Sequence, residues 1–383
     1  MTAAPRVDVW ETPYQPVDRW LMFLPLLLLG LSLLMVFSIT ALSAEESSGS
    51  PFAILIRQSL HIAVGLVLAV VVSRVKPATL KRLSAIAFIF AVVSLMLVLV
   101  PGLGAKAGGA QRWLQVGPLR FQPGEFAKVA TVLFFSAFIS RHHQRMRLFG
   151  RGIVLPAIVV GVLAFLLLLQ PDFGSVVVIS LVTGLQLWQF VRIGHIGLLA
   201  VVGALGLSAI AVTTPYRLRR LHAFLDPFKD PSNSGYQLIQ SLIAVGSGGV
   251  WGRGLGGGEQ KLYYLPAAET DFIFAVICEE LGFIGAISVA LVYLCIAWRG
   301  FRLARRNAGD PFRSSLAIGA TSLIVLPAFI NMSVVLGLLP TKGLALPLVS
   351  YGGSSIICTL LAVGVLWSLS RHSLHGEMKD SAT

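Results

Sequence analysis

Four carboxylates interrupt an otherwise apolar stretch at residues 265–286, LPAAETDFIFAVICEELGFIGA: Glu269, Asp271, Glu279 and Glu280. Acidic side chains are costly inside a membrane, so we expect each to have a partner or a function. Asp271 directly precedes the apolar run, where burial would raise its pKa and allow it to act as a general base. Like-charge repulsion from Glu269 would raise the pKa of Asp271 further. The alternative is that Asp271 only caps the following helix, which Thr270 could do equally well.

Glu279 and Glu280 follow Asp271 by eight and nine residues. On a continuous helix this spacing places them roughly 12–14 Å deeper in the membrane, turned by about 80° and 180° around the axis. The two glutamates therefore cannot both share the face of Asp271, and at least one must point into the helix bundle. We favour a structural pairing with a buried base; the alternative is that they line a cavity.

A second charged group lies in GGAQRWLQVGPLRFQPGEFAK at residues 108–128, which contains Arg112, Glu125 and Lys128. Glu125 and Lys128 are three residues apart, so a helix would place them on one face. An ordinary surface ion pair is one explanation. Because they stand where a predicted membrane span begins, and charges are costly there, we favour a functional site.

Further charges stand near the ends of predicted spans. Residues 214–225, TPYRLRRLHAFL, carry Arg217 and Arg220, whose planar guanidinium groups suit phosphate. The alternative is a basic surface that contacts lipid headgroups, and both interpretations imply anionic phosphate nearby. Asp172 lies at a helix end in QPDFG, where a turn residue is the simplest interpretation. Lys342 is the one charge in LPTKGLALPLVSYGGSS at residues 339–355.

The glycine-rich segment GSGGVWGRGLGGGEQK at residues 246–261 lacks the P-loop pattern, and no strand precedes it. We predict a flexible flap around Trp251. The seven histidines do not gather at metal-ligand spacing, and the chain has neither a nucleotide-binding fingerprint nor a G-x-S-x-G elbow. Any chemistry is therefore expected to depend on an already activated substrate.

The composition is that of a membrane protein. The 383 residues are 56% hydrophobic and only 12% charged, with a mean hydropathy of +0.82. Runs such as residues 21–42 exceed the roughly 20 apolar residues that cross a bilayer as a helix, and they do not alternate as barrel strands do. Basic residues that mark cytoplasmic loops explain the net charge of +13, so no nucleic-acid partner is expected.

Hydropathy and loop charge predict an all-α polytopic protein with ten spans and both termini in the cytoplasm. Residues 1–20 form a cytoplasmic tail, residues 21–370 a single transmembrane domain, and residues 371–383 a second cytoplasmic tail. A large extracytoplasmic loop, residues 214–271, joins spans 7 and 8. The spans are 21–42, 58–75, 83–100, 126–140, 152–169, 175–191, 194–213, 272–298, 317–339 and 354–370.

Seven motifs in order resemble the signatures of the SEDS family, the FtsW, RodA and SpoVE membrane proteins. They are AQRWL (110–114), QPGEFAK (122–128), QPDFGS (170–175), GYQLIQS (235–241), WGRGLG (251–256), TDFIFAVICEELG (270–282) and LPTKGLALPLVSYGGSS (339–355). The resemblance covers nearly the whole chain. TKG at 341–343 is more similar to the division branch of the family than to the elongation branch. One departure is Glu269, because many members carry histidine at that place.

The resemblance implies a peptidoglycan glycosyltransferase that polymerises lipid II, with an undecaprenyl-linked glycan as product, outside the cytoplasmic membrane. The family's active aspartate falls on Asp271 and its acid–base pair on Glu125 and Lys128. A lipid-linked pyrophosphate carries its own activation, and a single inverting displacement is expected. The departing pyrophosphate carries negative charge that basic residues could stabilise. On the extracytoplasmic side, the candidates are Arg112, Lys128, Arg217 and Arg220. A divalent cation, Mg or Mn, is an open alternative for that task.

The family pattern also implies partners: a class B penicillin-binding protein of the FtsI type and other membrane proteins of the division complex, at the septum. Two rival functions stay open. One is a lipid II flippase, in which Glu279 and Glu280 would line a transport path. The other is a scaffold without catalysis that recruits a transpeptidase. A role in elongation rather than division is a further alternative.

Overall fold

The computed structural model describes residues 16–47, 52–107, 110–117, 119–213, 215–233, 235–261 and 265–372. These residues form a helical bundle with one small β-sheet. The helices are α1 (Arg19–Ser47), α2 (Ala53–Arg74), α3 (Pro77–Leu99), α4 (Pro123–His142), α5 (Leu155–Leu169), α6 (Phe173–Trp188), α7 (Ile193–Thr213), α8 (Pro215–Leu225), α9 (Tyr236–Ser247), α10 (Ile273–Arg306), α11 (Pro311–Val335) and α12 (Gly353–Arg371). The strands are β1 (Gly104–Ala107), β2 (Ala110–Val116) and β3 (Leu119–Phe121).

The length and hydropathy of the helices identify the candidate membrane spans. Within the described ranges, eight helices are long and apolar enough to cross a membrane: α1 to α4, α10 to α12, and α5 taken together with the helical residues before it as Gly150–Leu169. Two shorter apolar helices are α6 and the first part of α7, Ile193–Gly206. Each of the ten predicted spans therefore falls on an apolar helix, and the fold is that of a polytopic helical membrane protein. The number of crossings and the cytoplasmic position of both termini stay predictions.

Small residues let the central helices approach closely. A Cβ atom on Gly65 of α2 would lie 2.5 Å from Leu360 Cδ1 of α12, and one on Gly364 would lie 2.6 Å from the Ala69 carbonyl oxygen. Close backbone approach replaces the hydrophobic drive that is missing between helices in lipid. α4, α11 and α12 are mostly buried, whereas α2, α3 and α5 expose apolar side chains on the outside of the bundle.

The connections predicted as loops contain regular structure. The three strands form an antiparallel sheet in the order β1–β2–β3, and the left-handed Gly117 (φ 61) follows β2. The predicted loop 214–271 contains α8 and α9. An all-α description therefore omits this sheet, whose strands of three to seven residues are too short to give a periodic signal.

α10 is broken at Gly282, whose backbone (φ 66, ψ −165) is open to glycine and not to other residues. The break frees backbone groups, and the glycine-rich segment binds them. Arg253 N donates to Glu279 O and Gly254 N to Glu280 O, both at 3.0 Å, while Phe283 N donates to Gly249 O at 2.9 Å. The prediction of a flexible flap is therefore wrong: this segment is fastened to the break.

The two buried glutamates tie the same segment down. Glu280 forms an ion pair with Lys261 at 2.5 Å and accepts a hydrogen bond from Ser38 of α1 at 2.7 Å. Lys261 also donates to Ser38 at 2.8 Å. Glu279 accepts the backbone N–H of Glu259 at 2.9 Å, and Arg253 lies 3.9 Å from it. Glu280 thus has the buried base that the sequence favoured, and Glu279 is satisfied mainly by backbone.

The predicted depth of these glutamates below Asp271 stays a prediction, because the break at Gly282 follows both of them and Ile273–Leu281 is helical. At the inner side, Asp18 N donates to Ser370 Oγ of α12. α12 rises about 26 Å from Ser370 to Gly353, just below the residues that hold 269–271. α1 rises about 30 Å from Asp18 to Ser38, which bonds Glu280. Ser350, which holds Thr270, shares Gln58 Nε2 with Ser32 of α1, six residues before the Ser38 that binds Glu280.

Replacing Lys261 tests the buried ion pair. Lys261→Met leaves the Glu280 charge buried without its base and is expected to lower the free energy of unfolding by about 3–5 kcal/mol. Thermal or denaturant unfolding of the purified protein in detergent measures the loss. The exposed Lys229→Met is the matched control and should change little. Adding Glu280→Leu to Lys261→Met should recover most of the loss, and equal stability of Lys261→Met and Lys229→Met would contradict the pairing.

Candidate active site

Three successive backbone carbonyls at residues 269–271 are held from the C-terminal part of the chain. Tyr351 N donates to Glu269 O at 2.8 Å, and Ser350 Oγ donates to Thr270 O at 2.5 Å. Asn331 Nδ2 donates to Asp271 O and to Leu344 O, both at 2.7 Å. The segment before α10 is therefore fixed by α11 and by the loop that precedes α12.

This arrangement leaves the Asp271 side chain unengaged. Phe272 occupies the cap position of α10, and no side chain caps it. Thr270 Oγ1 turns back to the carbonyl of Ala267. The capping alternative for Asp271 is therefore wrong. Among the described residues, none donates a hydrogen bond to the Asp271 carboxylate, so it is free to accept a proton from a ligand.

Burial raises the pKa of Asp271 to about 6. The positive charges of Arg220 and Arg112 oppose this rise, and the negative charge of Glu269 adds to it by the smallest contribution of the four. At neutral pH the carboxylate is ionised, yet it is a stronger base than an exposed aspartate. The predicted effect of Glu269 has the expected sign but is minor.

A cavity of about 70 Å³ lies next to Gly343, the neighbour of the Asp271 carboxylate, although Asp271 is not itself among its lining residues. Charged residues from three separate motifs line it: Arg112 of β2, Glu125 and Lys128 of α4, and Asp172 before α6. Gly343 forms part of the wall, and a Cβ atom on it would lie 3.2 Å from Asp271 Oδ2. The absence of a side chain at residue 343 therefore keeps Asp271 next to the cavity.

The charges in the cavity are organised by local structure. Lys128 Nζ lies 2.6 Å from Glu125 Oε1, and both side chains are largely buried. Asp172 caps α6 by accepting hydrogen bonds from Ser175 N at 3.2 Å and Ser175 Oγ at 2.7 Å. Asp172 is also close enough to attract the Lys128 ammonium group. The predicted pairing of Glu125 with Lys128 is present, and Asp172 is the cap of α6.

The remaining predicted cations lie around the same region. Arg112 Nε donates to Gln170 O at 3.0 Å, and its Nη2 donates to Pro171 O, so the side chain fastens β2 to the end of α5. Arg220 Nη1 donates to Thr341 O at 3.2 Å. The side chain of Arg217 lies outside the described part of the structure.

Lys342 follows the residue that Arg220 binds. Its Nζ lies 4.7 Å from the centre of the Phe173 ring, and burial lowers the pKa of its ammonium group. Glu279 and Glu280 are not among the residues that line the cavity, since they bind the segment 249–261.

Sequence reasoning missed the residues that hold Asp271 in place. Asn331 is buried in the apolar helix α11, where a lone amide group is itself a sign of a required partner. Ser350 and Gly343 fall inside quoted motifs, but spacing alone does not indicate which backbone group they meet. Among the described residues, no cluster of three or more His, Cys, Asp or Glu is arranged to hold a metal ion.

Comparison with known proteins gives a consistent result. The family model FtsW/RodA/SpoVE, described as "Cell cycle protein", matches residues 19–375. The "Probable peptidoglycan glycosyltransferase FtsW" of Thioalkalivibrio sulfidiphilus is 43% identical over 369 residues, which cover 94% of this chain and 91% of that protein. "Stage V sporulation protein E" of Bacillus subtilis is 40% identical, covering 93% and 97%.

A solved structure has the same fold. It is described as "Structural coordination of polymerization and crosslinking by a peptidoglycan synthase complex", and the superposition gives a TM-score of 0.74 at 31% identity. It covers 93% of this chain and 98% of the matched chain. The family model and these relatives cover nearly the whole chain, which therefore belongs to the FtsW/RodA/SpoVE family.

Proposed function

We propose that the chain is a peptidoglycan glycosyltransferase that polymerises lipid II into β-1,4 glycan strands for septal cell-wall synthesis. The observation that carries this proposal is the Asp271 carboxylate, which has a pKa of about 6 and no hydrogen-bond donor among the described residues. It stands beside a cavity lined by Lys128 and Arg112. The relatives named peptidoglycan glycosyltransferase support the same chemistry.

The reaction is a displacement at the anomeric carbon of a lipid-linked donor. Asp271 takes the proton from the 4-hydroxyl of the acceptor sugar while that oxygen forms the new glycosidic bond. The bond from the anomeric carbon to the diphosphate oxygen breaks, and the electron pair leaves with the diphosphate. A single displacement inverts the α-linked donor into a β-linked product.

Cations near the base stabilise the diphosphate as it departs. Arg112 and Arg220 are close enough to Asp271 to lower its pKa, so they are close enough to a ligand bound there. Lys128 contributes from the cavity, and Lys342 extends the positive region on the loop before α12. The predicted role of Arg217 stays a prediction. Glu125 keeps Lys128 oriented through the 2.6 Å pair.

The carboxylates of the cavity do not favour a divalent cation as a resident group. Glu125 is paired with Lys128, and Asp172 is engaged by Ser175. A Mg²⁺ or Mn²⁺ ion would have to draw its other ligands from the diphosphate and water. The proposed mechanism routes no step through a metal.

The relatives support a proposal for the partner and the location. A neighbour solved as a peptidoglycan synthase complex supports a class B penicillin-binding protein of the FtsI type as partner. Relatives named FtsW support the division septum of the cytoplasmic membrane and other division proteins as its setting. A rod-shape protein RodA of Thermus thermophilus shares the fold at 26% identity and TM-score 0.69, so elongation is the alternative role.

The rival functions find less support in the site. A flippase that used Glu279 and Glu280 would need them free, but both bind the segment 249–261. A scaffold without catalysis does not need a buried Asp271 carboxylate that lacks a side-chain partner. Nor does it need the backbone carbonyls of residues 269–271 to be held in place.

Substitution of the proposed base is the most direct test. Asp271→Asn should reduce polymerisation of purified lipid II by at least about 10²-fold, because general base catalysis contributes about 10²–10⁴-fold. Glycan length and rate are measured on gels with the penicillin-binding partner present. Glu259→Gln is the matched control, since that carboxylate is exposed and lies away from the cavity. Full-length glycan made by Asp271→Asn at the normal rate would favour a scaffold.

The pH profile tests the electrostatics of the base. A carboxylate with a pKa near 6 must lose its proton to act, so the rate should fall as the pH drops through about 6. Arg220→Gln removes a charge that lowers the pKa of Asp271, so the acid limb should move to higher pH. Glu269→Gln should move it to lower pH, and by less. An acid limb that stays fixed in Arg220→Gln would show that another group titrates.

Asn331 is expected to act as a positioning residue. Asn331→Leu removes two hydrogen bonds to carbonyl oxygens, one of them that of Asp271, and should lower kcat by about 10²-fold through misplacement of the base. KM should change little, and Asn331→Gln should recover part of the rate. Ser322→Ala, another buried polar residue of α11, is the control. Equal kcat values for Asn331→Leu and Ser322→Ala would rule out this role.

A further inference from the structure

The glycine-rich segment presents apolar side chains on a rigid backbone. The bonds from Arg253, Gly254 and Phe283 fix it against the break in α10, and Ile284 N adds a fourth to Val250 O at 3.3 Å. At its tip, Val250, Trp251 and Leu255 expose 56%, 82% and 57% of their surface. The backbone at Trp251 is fixed while its large apolar ring stays exposed, which indicates an external partner for the ring.

The lengths of α1 and α10 give the height of this tip in the membrane. Arg299 of α10 is ion-paired with Asp18 at the start of α1, so both helices share an inner reference level. From that level α1 rises about 30 Å to Ser38, and α10 rises about 26 Å to Gly282. The hydrocarbon core of a bilayer is about 30 Å thick, so Gly282 lies at its far boundary, on the side of Asp271.

The backbone of Trp251 stands at the same height. A Cβ atom on Gly282 would lie 2.6 Å from Val250 O and 2.7 Å from Trp251 C, so the two segments are in direct contact. Below this contact the apolar surface continues along α10, where Phe283 and Ile284 are 60% and 45% exposed. The tip therefore joins the lipid-facing surface of α10 at its upper edge.

We propose that Val250, Trp251 and Leu255 form a membrane anchor that inserts into the lipid headgroup boundary of the leaflet on the Asp271 side. Tryptophan favours this zone because its ring is apolar while its N–H remains hydrated. Arg253, between these residues, is neutralised by Glu259 at 3.0 Å, so no unpaired charge accompanies them into the boundary. The part of the predicted extracytoplasmic loop that contains WGRGLG thus dips into the bilayer.

Spin labels placed on single cysteines test the anchor. In a Cys295→Ala background, which removes the exposed cysteine, Trp251→Cys is labelled and the full chain is placed in nanodiscs of phosphatidylethanolamine and phosphatidylglycerol, without any partner protein. Collision rates with oxygen, which enters lipid, and with a nickel chelate, which stays in water, are compared. The oxygen-to-nickel ratio at residue 251 should be several-fold higher than at Ser232→Cys, an exposed site of the same loop.

Leu291→Cys gives the upper limit of the oxygen-to-nickel ratio, which is expected for a label deep in the lipid. Leu291 is 53% exposed on α10 and lies about 13 Å below Gly282. The ratio at residue 251 should fall below this limit, as expected for the boundary. Leu255→Cys reads the same surface and replaces Trp251→Cys if that variant does not fold. A ratio at 251 and 255 equal to that at 232 would overturn the anchor and leave these side chains to a protein partner.

Discussion

The capture of three consecutive carbonyls at residues 269–271 is the constraint on which the site depends. Tyr351, Ser350 and Asn331 satisfy the backbone there, so the Asp271 side chain is not needed as a cap. Burial then raises its pKa without a hydrogen bond that would stabilise the charged form. A carboxylate in this state is costly, and the fold tolerates it because its backbone is held by side chains from two other elements.

Backbone groups are also satisfied by distant residues at Gly282, at the other end of the segment that begins with Asp271. Gly282 breaks α10, and the freed backbone groups are satisfied by the glycine-rich segment instead of by water. Lys261 then neutralises Glu280 and Ser38 donates a hydrogen bond to it, so the buried carboxylate is not left without a partner. Glu279 and Glu280, which looked out of place in a membrane helix, therefore bind the loop that precedes the segment carrying the proposed base.

Hydropathy and short-range spacing were sufficient for part of this structure. The apolar runs located the spanning helices, and the three-residue spacing of Glu125 and Lys128 was enough to predict their pairing. The base beside Glu280 was expected but not its identity, since Lys261 is far away in sequence and in a loop. Nothing local distinguishes Gly282 from a glycine inside a continuous helix, because its conformation is set by contact with a distant segment.

Height in the membrane relates the proposed base to its cations. Asp271 stands near the level of Gly353, whereas the cavity reaches down to Cys358 and Thr359, about 8–9 Å lower along α12. A lipid-linked sugar diphosphate that rises from the bilayer presents its phosphates first and its sugar above them. In the proposed reaction, Lys128 would then face the phosphates and Asp271 the sugar hydroxyl. The separate roles proposed for the cation and the base thus depend on where α4 and α10 begin relative to the same membrane boundary.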